Sequence, residues 1–76
     1  LEGTVVSGIE KEVKPEPQIY RILLDRYSLK PEQTVFIDDK EANVETARRL
    51  GMHGIVFTGA EDARRKLDSI IAGARQ

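Results

Sequence analysis

The run Thr34-Val35-Phe36-Ile37-Asp38-Asp39 constrains this chain more than any other stretch. It is continuously apolar after Thr34, the pattern of a strand covered on both faces rather than one facing water on one side. It stops at two adjacent acids, and a helical spacing begins at once, with Val44, Ala47 and Leu50 turned to one side over residues 40 to 50. Gly51 follows where a left-handed C-cap is expected. A doubly covered strand feeding a helix belongs in a layered α/β fold with a parallel sheet.

The rest of the chain repeats that alternation. Thr4 to Ser7 reads as a short strand ended by Gly8. A charged loop from Glu10 leads to Lys14-Pro15-Glu16-Pro17. Pro15 biases Lys14 towards an extended conformation, and Pro17 suits the first turn of a helix, where a missing N–H is harmless. Ile19, Ile22, Leu23 and Tyr27 recur at helical spacing over residues 17 to 27, and Tyr20 and Leu24 widen the apolar face. Residues 28 to 33 are a turn, and residues 54 to 57 form a third strand. A last helix starts near Glu61, with Ala63, Leu67, Ile70, Ile71 and Ala74 on one face. Thr58 and Glu61 match a capping box for it. The order is β-α-β-α-β-α, which implies parallel strands with right-handed crossovers in a Rossmann-like three-layer arrangement.

Seventy-six residues make one small domain or part of a larger one. A chain of this size buries only about 60% of its unfolded surface, so its core is marginal. It has no cysteine, so neither a disulfide nor a thiolate metal site reinforces it, and a reducing cytoplasm is the expected setting. A net charge of −1 argues against nucleic-acid or anionic-membrane partners, which need a basic surplus. No apolar stretch reaches the roughly 20 residues of a membrane span, and no signal peptide is apparent. Leu1-Glu2-Gly3 runs straight into the first strand without an initiator Met. That start reads as a piece of a longer chain, with tag removal or processing as the alternative.

Asp38 and Asp39 close a strand, and ligands of open parallel sheets bind beyond the carboxyl ends of the strands. Adjacent carboxylates repel unless a cation lies between them, and hard oxygen donors suit Mg²⁺, which takes one or two carboxylates and keeps water or phosphate elsewhere. Asn43, in the first turn of the following helix, is placed to support the site. A helix cap explains the same residues: Asp38 with Glu41 matches a capping box, and acids are favoured at a helix N-terminus. One acid is enough for a cap, however. Lys14 is a second candidate, able to offset a carboxylate and a phosphate together, or else a solvated loop lysine. His53 is the sole histidine and has no second ligand in the pattern. Arg48-Arg49 and Arg64-Arg65-Lys66 read as solvated helix faces.

Three pieces in order, Val5-Val6-Ser7-Gly8 with Lys14-Pro15-Glu16-Pro17-Gln18-Ile19-Tyr20, then Val35 to Asp39 with Asn43, then Leu50-Gly51-Met52-His53-Gly54-Ile55-Val56-Phe57, resemble the C-terminal part of the haloacid dehalogenase-like hydrolases. The resemblance covers nearly all of residues 1 to 76 and implies a fragment of that family's core domain. It implies that Lys14 is the catalytic lysine of the family's third motif and that Asp38 and Asp39 are its acidic fourth motif. Asp39 would then ligate Mg²⁺ directly, with Asp38 assisting. Asn43 stands where many relatives carry a further acid, so it supports rather than ligates. Retention of the acidic pair points to a phosphatase of small, sugar-phosphate-like esters rather than to a dehalogenase, which does without Mg²⁺.

The implied reaction passes through an aspartyl-phosphate, with a second acid protonating the leaving oxygen. The Asp-x-Asp motif that would supply both groups does not occur in residues 1 to 76. The chain by itself is therefore expected to be inactive and to need the N-terminal part of the same fold as its partner. The resemblance also implies a sheet in which Thr4 to Ser7 is separated from Thr34 to Ile37 by two further strands, so these two should not pair directly. A non-catalytic association module using an open sheet edge, including self-association, is the competing reading. A phospho-acceptor receiver domain ranks below both, because its lysine follows the acids in the opposite order.

Overall fold

The computed structural model describes residues 3–9 and 14–74. Its elements are β1 (Thr4–Ser7), α1 (Pro17–Arg26), a short 3₁₀ turn (Pro31–Gln33), β2 (Thr34–Asp38), α2 (Glu41–Arg49), β3 (His53–Val56) and α3 (Ala60–Ala74). The expected β-α-β-α-β-α order holds. The turn at residues 28 to 33 contains the 3₁₀ segment, and β3 begins one residue earlier than its apolar run, at His53. Of the charged loop before Lys14, residues 10 to 13 lie outside the described residues.

The three strands form one parallel sheet in the order β1-β2-β3. Val5 sits opposite Val35 and Val6 opposite Phe36, while Ile37 sits opposite Ile55. The direct β1–β2 pairing overturns the expectation that these strands would be held apart. Strand β2 is apolar on both faces, and its edge N–H and C=O groups would be buried without partners if β1 did not fill that side. The connection from residue 8 to residue 33 carries a full helix, long enough for a parallel crossover.

Strand alternation sorts the core into two layers. Phe36 and Val6 face α1 and α2, where they pack with Tyr20, Leu24, Val44, Ala47 and Met52. Val35 and Ile55 face α3 and pack with Ala63, supported by Ile37, Leu67 and Ile70. The rings of Tyr20 and Phe36 meet edge to face at 5.1 Å between centroids, a contact worth about 0.5–1.5 kcal/mol beyond the area it buries. Helix α3 lies over β3, and on that side of the sheet Val5 of β1 remains 51% exposed.

The apolar stripe of α1 is rotated from the expected one. Tyr20 and Leu24 are its buried centre, flanked by Ile19 and Leu23, whereas Ile22 and Tyr27 are exposed. The helix stops at Arg26, and Tyr27 is its C-cap. The packing partners are Val6 and Phe36 of the sheet with Val44 and Ala47 of α2, and they meet the Tyr20–Leu24 side of the helix; spacing alone could not choose between two adjacent stripes. In α2, Val44 and Ala47 are fully buried, as expected, and Leu50 is the C-cap, partly buried. Gly51 adopts φ +94°, the left-handed conformation anticipated from its position. Ala63, Leu67 and Ile70 of α3 point to the sheet as expected.

Candidate functional site at the carboxyl end of the sheet

All three strands end on the same side, and backbone bonds continue the sheet just past them. The Gly8 N–H donates to the Ile37 carbonyl and the Phe57 N–H donates to the Asp38 carbonyl, each at 2.8 Å. Asp38 follows Phe36 by two positions, so its side chain emerges on the α2 side of the sheet. It is buried to 1% exposure, which a carboxylate tolerates only with partners. Those partners are local: Oδ1 accepts the Lys40 N–H at 2.9 Å, and Oδ2 accepts Asn43 Nδ2–H at 2.8 Å. Asp39, one residue on, is exposed.

This geometry corrects the capping-box reading. Lys40 is the N-cap of α2, and no side-chain cap bond is made there. Asp38 instead closes an Asx turn two residues before the N-cap, and its second oxygen goes to Asn43 rather than into a reciprocal box with Glu41. The other expected box is also replaced: Thr58 donates to the side chain of Asp62 at 2.7 Å, not to a box with Glu61. That bond, with the Lys66 ammonium 2.9 Å away and Arg65 beside it, holds the Asp62 carboxyl below its usual range, hydrogen bonding to Thr58 being the foremost cause.

A cavity of about 390 Å³ opens at this end, lined by Gly8, Ile9, Lys14, Asp38, Asp39, Lys40 and Asn43. Lys14, Asp38, Asp39 and Asn43, the residues singled out from the sequence, thus meet at one surface although Lys14 lies far from the acids in the chain. Gly8, Ile9 and Lys40 also line it. Gly8 was marked only as a strand end, and its place could have been inferred from the rule that strand ends of a parallel sheet gather at one edge. His53 lies away from it, with Nε2 3.1 Å from the Glu32 carbonyl oxygen. Arg48 pairs with Glu45 and donates to the Gly54 carbonyl, on the flank of α2 rather than at the cavity.

Two further side chains frame the site. Thr46 is buried and its Oγ1 lies 3.2 Å from the Pro15 carbonyl and 3.0 Å from that of Ala42, so the loop next to Lys14 is tied to α2. Tyr20 is fully buried, and its hydroxyl has no hydrogen-bond partner among the described residues. Burial, and secondarily the negative charge of Asp38, push its pKa up to about 12.

The donor chemistry fits a Mg²⁺ half-site. Among the described residues no group of three or more His, Cys, Asp or Glu side chains gathers to enclose a metal, but Mg²⁺ asks the protein for only one or two carboxylates. Asp38 is buried with one hydrogen bond on each oxygen and keeps a lone pair on each, while Asp39 is exposed and is the more accessible carboxylate for a cation. No described helix is long and apolar enough to cross a membrane.

The chain is 43% identical over 58 residues to mouse bifunctional epoxide hydrolase 2, covering 76% of this chain and 10% of that protein. It is 31% identical over 70 residues to flavin mononucleotide hydrolase 1 of Arabidopsis thaliana, covering 92% of this chain and 29% of that one. It is 38% identical over 45 residues to a phosphorylated carbohydrates phosphatase of Thermotoga maritima, covering 59% of this chain and 21% of that one. The chain thus spans about a tenth of the length of the epoxide hydrolases that it matches. A family model described as HAD-hydrolase-like matches residues 13–75, from beside Lys14 through the acidic pair to the last helix, and the chain belongs to that family.

Proposed function

We propose that the chain is the C-terminal portion of a Mg²⁺-dependent phosphatase core acting on a small phosphate ester, of the sugar-phosphate kind, in the cytoplasm. The observation that carries this reading is the cavity shared by Lys14, Asp38 and Asp39 at the carboxyl end of the parallel strands. The names of two relatives, a flavin mononucleotide hydrolase and a phosphorylated carbohydrates phosphatase, support the substrate class.

In this reading Asp39 holds the cation, and Asp38, immobilised by Lys40 and Asn43, keeps the strand end in place behind it. Lys14 supplies a positive charge to the phosphoryl oxygens. Bound Mg²⁺ supplies Lewis-acid stabilisation of the charge that develops on the transferring group. The nucleophile and the general acid come from the N-terminal part of the same fold.

Complementation tests the proposal. Joining the chain to the N-terminal segment of a relative should yield Mg²⁺-dependent hydrolysis of p-nitrophenyl phosphate, and Asp39→Asn should abolish it without loss of helicity. Activity unaffected by Asp39→Asn would refute the metal assignment. Mg²⁺-independent turnover of a haloacid would favour the dehalogenase alternative. A second reading, association through the sheet edge, draws on the exposure of Val5 beside the unpaired side of β1. It requires a concentration-dependent mass in light scattering that Val5→Lys reduces.

A further inference from the structure

We infer that Thr46 is a positioning residue for Lys14: its buried hydroxyl, bonded to the Pro15 carbonyl, fixes the backbone from which the Lys14 side chain enters the cavity of Asp38 and Asp39. The inference deepens the proposed phosphate site and rests on that reading.

Thr46 sits mid-helix in α2 at 2% exposure. A helical threonine ordinarily turns its hydroxyl back to the carbonyl four residues earlier, and Thr46 does so with Ala42 at 3.0 Å. That carbonyl already has a donor in the helix ladder. The hydroxyl has one proton, shared between that carbonyl and the Pro15 carbonyl at 3.2 Å; the latter contact reaches across 31 positions of sequence and joins the loop before α1 to α2.

Its consequence follows from the two flanking restraints. The Pro15 ring fixes φ at that residue, so the direction of the Pro15 carbonyl reports ψ, and the Thr46 hydroxyl holds it. Lys14 is confined to extended conformations by the proline after it. The loop backbone next to Lys14 is therefore determined, and the freedom that remains is that of the side chain. Lysine is a flexible point charge with large rotamer entropy, and Lys14 is exposed. Where its ammonium dwells is decided by where its backbone is anchored.

The test uses the full chain and NMR titration, first with Mg²⁺ alone and then with inorganic phosphate at saturating Mg²⁺. Thr46→Val should weaken phosphate binding about three- to tenfold, the range of one hydrogen bond, and leave Mg²⁺ affinity within twofold. Thr46→Ser, which keeps the hydroxyl, should restore phosphate affinity. In a Lys14→Ala background Thr46→Val should have no further effect on phosphate. Equal losses with and without Lys14, or parallel losses of Mg²⁺ and phosphate, would mark Thr46 as general packing and overturn the inference. If the wild-type chain still binds neither Mg²⁺ nor phosphate once joined to the N-terminal segment of a relative, the phosphatase reading fails instead. The order parameter of the Lys14 amide still decides the anchoring: it should drop in Thr46→Val and recover in Thr46→Ser, and an unchanged value overturns the inference. Thr46→Ala replaces the valine variant should the latter not fold.

Discussion

Asn43 Nδ2 donates to Asp38 Oδ2 across 2.8 Å, and both side chains are buried to 1% exposure. The first turn of α2 thereby reaches back to the end of β2 and supplies one of the bonds that keep a carboxylate inside the fold. Removing it with Asn43→Ala should cost about 1.5–3 kcal/mol, the range for a hydrogen bond to a charged group, measured by urea denaturation. Asn43→Asp should cost more, because it puts like charges together, and millimolar Mg²⁺ should return part of the loss. No recovery with Mg²⁺ would count against a cation at this strand end.

Tyr20, beside Phe36, buries a hydroxyl that has no hydrogen-bond partner among the described residues. Tyr20→Phe keeps the ring and drops the unsatisfied group, so stability near neutral pH should be unchanged or higher. The pH dependence has a definite sign. The folded pKa is about 12, raised from the ordinary 10.0, so the unfolded chain loses this proton first. Stability is fully present below pH 10 and should fall by about 1.4 kcal/mol per pH unit from there until the folded group titrates. Denaturation series at pH 9 and 11 should show the slope in the wild type and a shallower one in Tyr20→Phe.

Gly54 lies where β3 approaches α2. A Cβ there would stand 2.6 Å from Val44 Cγ1 and 3.0 Å from Arg48 Cγ. The valine is fully buried in the core, so Gly54→Ala should destabilise by about 1–3 kcal/mol through overpacking. A thermal melt checks this, and Gly54→Ala combined with Val44→Ala should recover part of the loss.

The Thr58–Asp62 bond opens α3. Thr58→Val should let the Asp62 carboxyl titrate closer to its ordinary value in an NMR pH series, since that bond is the foremost cause of its depression. The sign follows from the depressed folded value: the contribution of this carboxylate is present above the ordinary pKa and is lost as pH falls through the folded one.

What the sequence determined by itself is local. The alternation of elements, the central place of residues 34 to 38, the left-handed turn at Gly51 and the helix start at Pro17 all rest on interactions within a few residues. Hydrophobic period and backbone sterics decide these before any long-range contact forms. Asp38 and Asp39 were legible as a candidate site for the same reason, being a strand end joined directly to a helix. The family resemblance added the match of Lys14.

The tertiary structure decided what depends on distant parts of the chain. Strand β1 pairs with β2 because an unpaired buried edge is costly, and no pattern within either strand encodes its neighbour. Tyr20 and Leu24, not Ile22 and Tyr27, became the buried stripe of α1 because they meet Val6, Phe36, Val44 and Ala47, which come from distant parts of the chain. Asp38 gave its oxygens to Lys40 and Asn43 instead of a capping box because burial left it no water to accept from. Thr46 was unreadable as part of the site, since its spacing is that of an ordinary helical threonine. Only the fold brings the Pro15 carbonyl, 31 residues away, within reach of its hydroxyl.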